Sequence, residues 1–408
     1  MMKKSKYVLI LFLTFGCLTA YSQERNYGQE LADLLYNKRI PEAVEYYEQY
    51  KDSISHPFAT DSYHLMTAIY FNQQDRVDVL LSPFIDKYNG SIINDDVVNY
   101  ITEYIRLSKM QITNETENGG DIHIPILTEP LIIVNAAYNG IPLNTVFDTG
   151  CTLPIWATKD IAEKIGVQML EEYVPKDINE IKINAANGWL DSIRVGKLLL
   201  TNVPVVVIDR GFFQLCIPDS LLSNKVIMAK IDSVSSKTEI IMGLPIISML
   251  HRIQFDFDKE EMIISFNHPL NATKNKNMFM ESNSLFLNTQ INGLDFTAFI
   301  DTGGNWGDLT VVLRDEFYQT HKGQLPSLPP KDTDRTRGCF VHGAENDPFV
   351  RLNHSTLHLD NQFIDLRDDA VVLADRKFYI TKDGYVTLGL LKKLKKFTFD
   401  FDAMRLNV

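Results

Sequence analysis

Two copies of the triplet Asp-Thr-Gly bring a carboxylate, a hydroxyl and a glycine together at the same spacing in this 408-residue chain. The first copy begins at Asp148 and the second, 153 residues later, begins at Asp301. The residues that complete the two triplets are Thr149, Gly150, Thr302 and Gly303. A glycine permits a turn that a Cβ would obstruct, and a threonine hydroxyl can satisfy buried backbone groups. Each triplet could therefore present a fixed carboxylate.

Two aspartates forced into contact would form an acid–base pair. Like charges in contact cannot both ionise, so one carboxyl keeps a proton while the other is a base at the same pH. Such a pair can polarise a water molecule for attack on an amide while protonating the amide carbonyl oxygen. If the fold joins Asp148 and Asp301, the sequence predicts amide hydrolysis, a reaction that this pair performs without a metal or an organic cofactor.

Longer matching segments surround the two triplets. Residues 139–150, NGIPLNTVFDTG, reappear as residues 292–303, NGLDFTAFIDTG, and each copy continues with a helix-like stretch. Each copy then closes with a glycine-bearing segment, in which the alignment pairs Gly243 with Gly389, followed by Phe-Asp-Phe-Asp. Short Val/Ile/Leu-rich runs bounded by Gly, Asn and Pro are typical of an all-β region. The repetition predicts two homologous β lobes.

The sequence resembles the pepsin and retropepsin superfamily of aspartic proteases, close to bacterial retropepsin-like proteins with a Gag-type protease domain. The resemblance covers residues 122–408 and rests on the two triplets and the closing segments. It implies a mainly β fold with two closed β-barrel lobes and an aspartic endopeptidase that acts on an extended peptide or protein. It also implies that Asp148 and Asp301 are the catalytic dyad and that Thr149 and Thr302 form an interlobe hydrogen-bond grip.

The resemblance also implies a flap over the cleft in each lobe. The candidate flap tips, each about 40 residues after its aspartate, are Asn187, Gly188, His342 and Gly343. Neither pair has the Gly-Gly of retroviral flaps or the tyrosine of the pepsin flap.

The residue after each triplet departs from the family pattern. Ser, Thr or Ala is usual there, whereas this chain has Cys151 and Gly304. A thiol is a weak hydrogen-bond donor and glycine has no side-chain donor. Because losing donors to a carboxylate raises its pKa, we expect the shared proton to be held to a higher pH than in pepsin-like sites.

The chain before the lobes has a different pattern. Residues 1–22, with three lysines ahead of an apolar run and an Ala-x-Ser end, predict a secretory signal peptide. Residues 23–110 have apolar residues at helical spacing and predict a helical domain of tetratricopeptide-like hairpins, which could bind a protein partner or simply pack as a bundle. The polar residues 111–121 predict a linker to lobe 1, residues 122–268, and residues 269–277 join it to lobe 2, residues 278–408.

Composition and charge exclude several classes of protein. The net charge of −12 and the lack of a basic block disfavour a nucleic-acid partner. Apart from the signal segment, no apolar run approaches the roughly 20 residues of a membrane span. We therefore expect an exported periplasmic, cell-surface or secreted protein. Lipid anchoring at Cys17 is disfavoured because Thr14 stands where a lipoprotein signal usually has leucine.

Other residues that could carry chemistry have simpler interpretations. The two Phe-Asp-Phe-Asp segments mimic the Asp-x-Asp motif of haloacid-dehalogenase phosphatases, but here they close each repeat, and we interpret them as strands. His354 and His358 could bind a metal only if helical, and their neighbours predict a strand. Cys151 lacks the surroundings of a thiol nucleophile. The alternatives that stay open are a catalytically inert peptide-binding protein with the same fold and an adaptor acting through its helices.

Overall fold

The computed structural model divides into two compact units, Met1–Lys109 and Met110–Val408. It describes residues 26–36, 39–70, 73–88, 105–128, 131–170, 172, 174–178, 181–209, 225, 238–266, 276–281, 284–304, 309–329, 331, 334–335, 338–340, 343–345, 348–373 and 382–408. The predicted signal segment, residues 1–22, lies outside these residues. In the described part of the chain, no helix is both long enough and apolar enough to cross a membrane.

The first unit is helical. Its helices are α1 (Tyr27–Tyr36), α2 (Ile40–Tyr50), α3 (Pro57–Tyr70) and α4 (Gln74–Tyr88). Apolar residues at helical spacing form its core, in which Leu31, Ile40 and Ile69 are fully buried. The Tyr47 and Tyr63 rings stack with their centroids 3.9 Å apart. Aromatic side chains therefore also pack within this unit. The tetratricopeptide-like arrangement stays a prediction.

The second unit begins with a run of strands that form the first lobe. They are β1 (Gln111–Asn114), β2 (Ile122–Leu127), β3 (Ile133–Tyr138), β4 (Ile141–Asp148), β5 (Ile155–Thr158), β6 (Gln168–Met169), β7 (Val174–Ile178), β8 (Ile181–Val195), β9 (Leu198–Ile208), β10 (Ile240–Gly243), β11 (Arg252–Asp256) and β12 (Glu261–Ser265). Two short helices accompany them, α5 (Lys159–Ile165) and α6 (Leu244–Ile247).

The second lobe repeats this sequence of elements. Its strands are β13 (Met278–Glu281), β14 (Ser284–Ile291), β15 (Leu294–Asp301), β16 (Val311–Arg314), β17 (Gly338–Phe340), β18 (Gly343–Glu345), β19 (Phe349–Arg351), β20 (Ser355–Leu359), β21 (Gln362–Arg367), β22 (Ala370–Leu373), β23 (Gly384–Thr387), β24 (Lys396–Asp400) and β25 (Arg405–Asn407). Its helices are α7 (Asp315–His321) and α8 (Leu388–Leu394).

The same strand pairings recur in both lobes. In the first, β4 pairs with β3 and, in parallel, with β10, while β5 runs parallel to β9. In the second, β15 pairs with β14 and, in parallel, with β23, while β16 runs parallel to β22. The mainly β fold with two barrel-like lobes after a helical segment confirms the predicted fold class.

The two Phe-Asp-Phe-Asp segments meet between the lobes. Strand β11 of the first lobe pairs antiparallel with β24 of the second, so that Phe255 lies opposite Phe397 and Ile253 opposite Phe399. The pairing is symmetric about the pair of Gln254 and Thr398. The aromatic rings stack, with the Phe255 and Phe397 centroids 5.0 Å apart. The first Phe-Asp of each segment therefore ends a closing strand, as predicted, and the second lies in the turn that follows. The two strands join the lobes through a shared sheet.

An ion pair lies at each end of this interlobe ladder. At one end the His251 ring nitrogen Nδ1 lies 3.0 Å from both Asp402 carboxylate oxygens, and at the other Lys395 Nζ lies 3.6 Å from Asp258. His251 and Lys395 occupy equivalent places, since the carbonyl of each accepts the N–H of Phe401 or Phe257 at 2.8 Å. One end of the ladder therefore has a titratable cation and the other a permanent one.

The predicted linker, residues 111–121, is not a free connection. Its first residues form β1, which pairs antiparallel with β9 from Gln111 opposite Thr201 to Asn114 opposite Leu198. A short 3-10 turn, Glu117–Gly119, follows. The linker prediction is wrong for Gln111–Asn114, because a polar strand at a sheet edge has the composition of a loop.

We expect the His251–Asp402 pair to make stability depend on pH. A hydrogen bond to Asp402 raises the pKa of His251, so its stabilisation is complete below the unfolded pKa of about 6.5 and is lost as the pH rises through the higher folded pKa. The side chains are 48% and 42% exposed, which limits the effect to about 0.5 kcal/mol. Denaturant unfolding between pH 5.5 and 8.5 should show a smaller pH dependence for Asp402→Asn. The matched Asp258→Asn variant should keep the wild-type dependence; equal curves for Asp402→Asn and wild type would contradict the assignment.

Candidate active site

The strand pairings bring the two Asp-Thr-Gly triplets face to face. Strands β4 and β15 end at Asp148 and Asp301, and the parallel partners β10 and β23 support these ends. In each strand the three residues before the aspartate are all buried, among them Phe147 and Ile300. The chain leaves each sheet at the aspartate, and the two carboxyls come within hydrogen-bonding reach of each other.

Four hydrogen bonds tie the threonines of the two triplets to the opposite lobe. Thr149 donates its hydroxyl to the Ile300 carbonyl at 2.9 Å, and its oxygen accepts the N–H of Thr302 at 3.1 Å. Thr302 donates its hydroxyl to the Phe147 carbonyl at 2.8 Å, and its oxygen accepts the N–H of Thr149 at 2.8 Å. Both threonines are fully buried. The structure therefore has the reciprocal geometry of the grip implied by the resemblance.

The glycines of the triplets leave space for the carboxyls. A Cβ on Gly150 would overlap the Asp301 carboxyl, and a Cβ on Gly303 would overlap the Asp148 carboxyl. Both glycines lie in the described part of the chain, and neither has a positive φ. Close approach between the lobes, rather than an unusual turn, is the reason for glycine at both positions.

The two carboxyls differ in the hydrogen bonds that they accept from backbone N–H groups. Asp148 Oδ1 accepts the N–H of Gly150 at 2.7 Å and that of Gly303 at 3.1 Å. Burial raises the pKa of Asp148, and these N–H groups oppose the rise. Burial and then the charge of Asp148 raise the pKa of Asp301 well above its ordinary value. The arrangement therefore favours an ionised Asp148 beside a protonated Asp301.

The residues after the triplets give the carboxyls backbone contacts. The Cys151 N–H contributes to stabilising the Asp148 carboxylate, and the Gly304 N–H does the same for Asp301. The Cys151 thiol is buried and lies 3.7 Å from the Leu153 carbonyl oxygen. That contact directs a weak donor toward the backbone.

The glycine of the second closing segment is not where the sequence alignment places it. Gly243 lies opposite Asp148 in the parallel pair, whereas the residue opposite Asp301 is Thr387. Gly389 lies two residues further on, in the first turn of α8. The pairing of Gly243 with Gly389 is therefore wrong by two residues. The second lobe has Thr387 at the position equivalent to Gly243, so the sequence comparison matched the nearest glycine instead.

The flap prediction is wrong for the first lobe. Asn187 and Gly188 lie inside β8, opposite Val206 and Val205 of β9. A Cβ on Gly188 would lie 2.5 Å from Val167 Cγ1, so close packing, rather than a turn, explains the glycine. The hairpin nearest in sequence is that of β7 and β8, which pair from Ile178 opposite Ile181.

The second-lobe candidate lies at a hairpin. Phe340 at the end of β17 pairs with Gly343 at the start of β18. His342 lies outside the described residues. A flap role for Gly343 stays a prediction.

Other candidate residues form no second site. His358 lies on strand β20 and stacks on Phe363 with ring centroids 4.5 Å apart, while His354 precedes that strand with a positive φ. They do not share a helical face. Across the described residues, no group of three or more His, Cys, Asp or Glu side chains could hold a metal ion.

Comparison with known proteins supports the resemblance in the first lobe. Residues 134–226, which contain the first triplet, match the aspartyl protease family model. Among solved structures, a retropepsin-like aspartic protease from Rickettsia conorii is 20% identical, with 38% of this chain and 92% of that chain covered and a TM-score of 0.23. No curated protein matches the chain. The family match supports an aspartyl protease-like first lobe.

We expect Thr302→Val to destabilise the second unit by about 2–4 kcal/mol, because it leaves the buried Thr149 N–H and Phe147 carbonyl without their partner. Thr302→Ser should recover most of the loss. The matched control is Thr297→Val on β15, the strand that precedes Thr302, where the hydroxyl bonds the exposed Asn288 side chain and the cost should be below about 0.5 kcal/mol. Denaturant unfolding measures all three; similar costs for the two valine variants would contradict the grip.

Proposed function

We propose that this chain is an exported aspartic endopeptidase in which Asp148 and Asp301 activate a water molecule. The observation that carries the proposal is the pair of half-buried carboxyls that the reciprocal threonine hydrogen bonds bring together. A binding protein gains nothing from burying two carboxyls together, because each costs free energy when desolvated. An acid–base catalyst requires that arrangement.

The unequal hydrogen bonding gives each carboxyl a role. Ionised Asp148 would accept a proton from a water held between the carboxyls, while protonated Asp301 donates its proton to the amide carbonyl oxygen. The water oxygen bonds to the carbonyl carbon, and the carbonyl π electrons move to the oxygen that Asp301 protonates. Asp148 then passes its proton to the amide nitrogen as the C–N bond breaks. The hydroxyl proton returns to Asp301, and an acid and an amine leave.

We propose an extended peptide as the substrate. Each lobe has a hairpin after its triplet, β7 with β8 and β17 with β18, whose edges could add main-chain hydrogen bonds to a bound strand. This mode suits an endopeptidase because the cleft, rather than a chain terminus, holds the substrate.

The proposed export of the protein is based on its amino-acid sequence. Residues 1–22 have the basic, apolar and small-residue order of a secretory signal. They lie outside the described residues. Processing after Ser22, measured by mass spectrometry of the protein from a producing cell, is the corresponding test. A role for the helical unit in binding a protein partner is a prediction of the same kind.

We expect Asp148→Asn and Asp301→Asn each to reduce peptide hydrolysis by at least about a hundredfold, since acid and base are both required. Asp295→Asn, at an exposed position on the strand that ends at Asp301, is the matched control and should retain full activity. The assay is cleavage of a peptide library across pH by the full mature chain. Hydrolysis that persists in either dyad variant would refute the proposal. Peptide binding without cleavage by the wild type would favour the inert alternative.

We expect the pH range of activity to shift when hydroxyl donors are added beside the dyad. The raised pKa values of Asp148 and Asp301 place both limbs of the kcat/KM profile at higher pH than for ordinary aspartates. The double substitution Cys151→Ser and Gly304→Ser would add donors to the ionised carboxyls and lower both pKa values. Both limbs should therefore move to lower pH. An unmoved profile would contradict this expectation and show that burial, rather than donors at these two positions, sets the range.

A further inference from the structure

The residue that faces each aspartate from the neighbouring parallel strand differs between the lobes. Gly243 faces Asp148, and Thr387 faces Asp301. In the first lobe glycine is obligatory, because a Cβ at 243 would overlap the Leu153 carbonyl oxygen and lie 2.6 Å from that of Cys151. The second lobe instead accommodates a branched side chain that is 1% exposed.

The connection after the second triplet is longer than the connection after the first. In the first lobe the N–H groups of Gly243 and Leu244 donate to the carbonyls of Pro154 and Cys151, at 2.9 Å each. In the second, those of Thr387 and Leu388 donate to the carbonyls of Thr310 and Gly304, at 3.1 and 3.2 Å. The same ladder therefore spans a connection about three residues longer in the second lobe.

The Thr387 hydroxyl holds the far end of this connection. It lies 2.5 Å from the Leu309 carbonyl oxygen and 3.2 Å from that of Thr310, so it can donate to either. Its oxygen accepts the N–H of Gly389 at 3.1 Å, which caps α8. One buried hydroxyl thus joins the connection, the strand beneath Asp301 and the helix that follows.

We propose that Thr387 is a positioning residue for Asp301. Its hydroxyl fixes the turn from β23 into α8, where the Leu388 N–H donates to the Gly304 carbonyl, so that the N–H groups of Gly303 and Gly304 stay directed at the carboxyls. Tight packing around Gly243 performs this task in the first lobe. The inference rests on the proposed function, because it concerns the acid of the same dyad. It assigns the second lobe a residue with no counterpart in the first.

The sign of the effect follows from the contacts of the carboxyl. The Gly304 and Gly303 N–H groups favour ionised Asp301. If the turn from β23 into α8 loses this hydroxyl, the contact of Leu388 with Gly304 loosens, these donors move away and the pKa of Asp301 rises further. Asp301 then keeps its proton to a higher pH, which moves the alkaline limb of the kcat/KM profile upward while poorer positioning lowers kcat.

The experiment compares Thr387→Val, Thr387→Ser and Thr398→Val in the full mature chain. Thr398 is also a buried threonine, 6% exposed, and it pairs with Gln254 at the centre of the interlobe ladder. Thr398→Val therefore controls for general destabilisation. We expect Thr387→Val to move the alkaline limb to higher pH and to lower kcat about five- to tenfold with little change in KM. Thr387→Ser should restore both values, and Thr398→Val should leave both unchanged. If Thr387→Val does not fold, Thr387→Ala provides the same comparison without added crowding.

A readout without turnover separates this inference from the proposed function. Carbon-13 NMR of the protein labelled at its aspartate carboxyl carbons follows the titration of Asp301. The Asp301 signal is assigned as the one that is missing from the spectrum of Asp301→Asn. We expect a higher Asp301 pKa in Thr387→Val than in wild type or Thr387→Ser, even if no peptide is cleaved. Cleavage by the wild type with identical Asp301 titration in all variants would overturn the positioning role and leave the proposed function intact. The same shift in Thr398→Val would also overturn it.

Discussion

The contact between two half-buried carboxyls is the constraint on which the second unit depends. The contact between Asp148 and Asp301 is unfavourable by itself, because desolvation of the carboxyls and their mutual repulsion both oppose it. The four hydrogen bonds of Thr149 and Thr302 hold them together, since each threonine bonds to backbone groups of the opposite lobe. Glycines on both sides admit the carboxyls without steric overlap. The residues of the two triplets therefore both stabilise the contact between the lobes and position the two carboxyls.

The rest of the fold keeps the two lobes in register for this contact. Strands β11 and β24 pair across the lobes about a local two-fold position, and their phenylalanines fill the space between. This aromatic sheet lies on the chain segments that follow β10 and β23, the strands that support the aspartates. Burial of several phenylalanines contributes more free energy than the exposed ion pairs at the ends of the ladder. The ion pairs instead distinguish the two ends, one titratable through His251 and one fixed through Lys395.

The symmetry is broken where chemistry requires two different carboxyls. Asp148 Oδ1 receives the N–H groups of both Gly150 and Gly303, and Asp301 has the more strongly raised pKa. Around them, the first lobe uses Gly243 and a short connection, and the second uses Thr387 and a longer one. Two similar lobes can in this way present a base and an acid, because small differences in donors decide which carboxyl gives up its proton first.

The sequence alone determined the fold class and the two triplets, because strand periodicity and an exact repeated motif are local signals. It also identified the closing strands through the repeated Phe-Asp-Phe-Asp. It misplaced Asn187 and Gly188, since glycine serves close packing as well as turns, and it matched Gly389 where Thr387 faces Asp301. It likewise took Gln111–Asn114 for a linker. These positions depend on which strands lie beside one another, and only the tertiary structure decides that, because pairing register joins residues that are far apart in the chain.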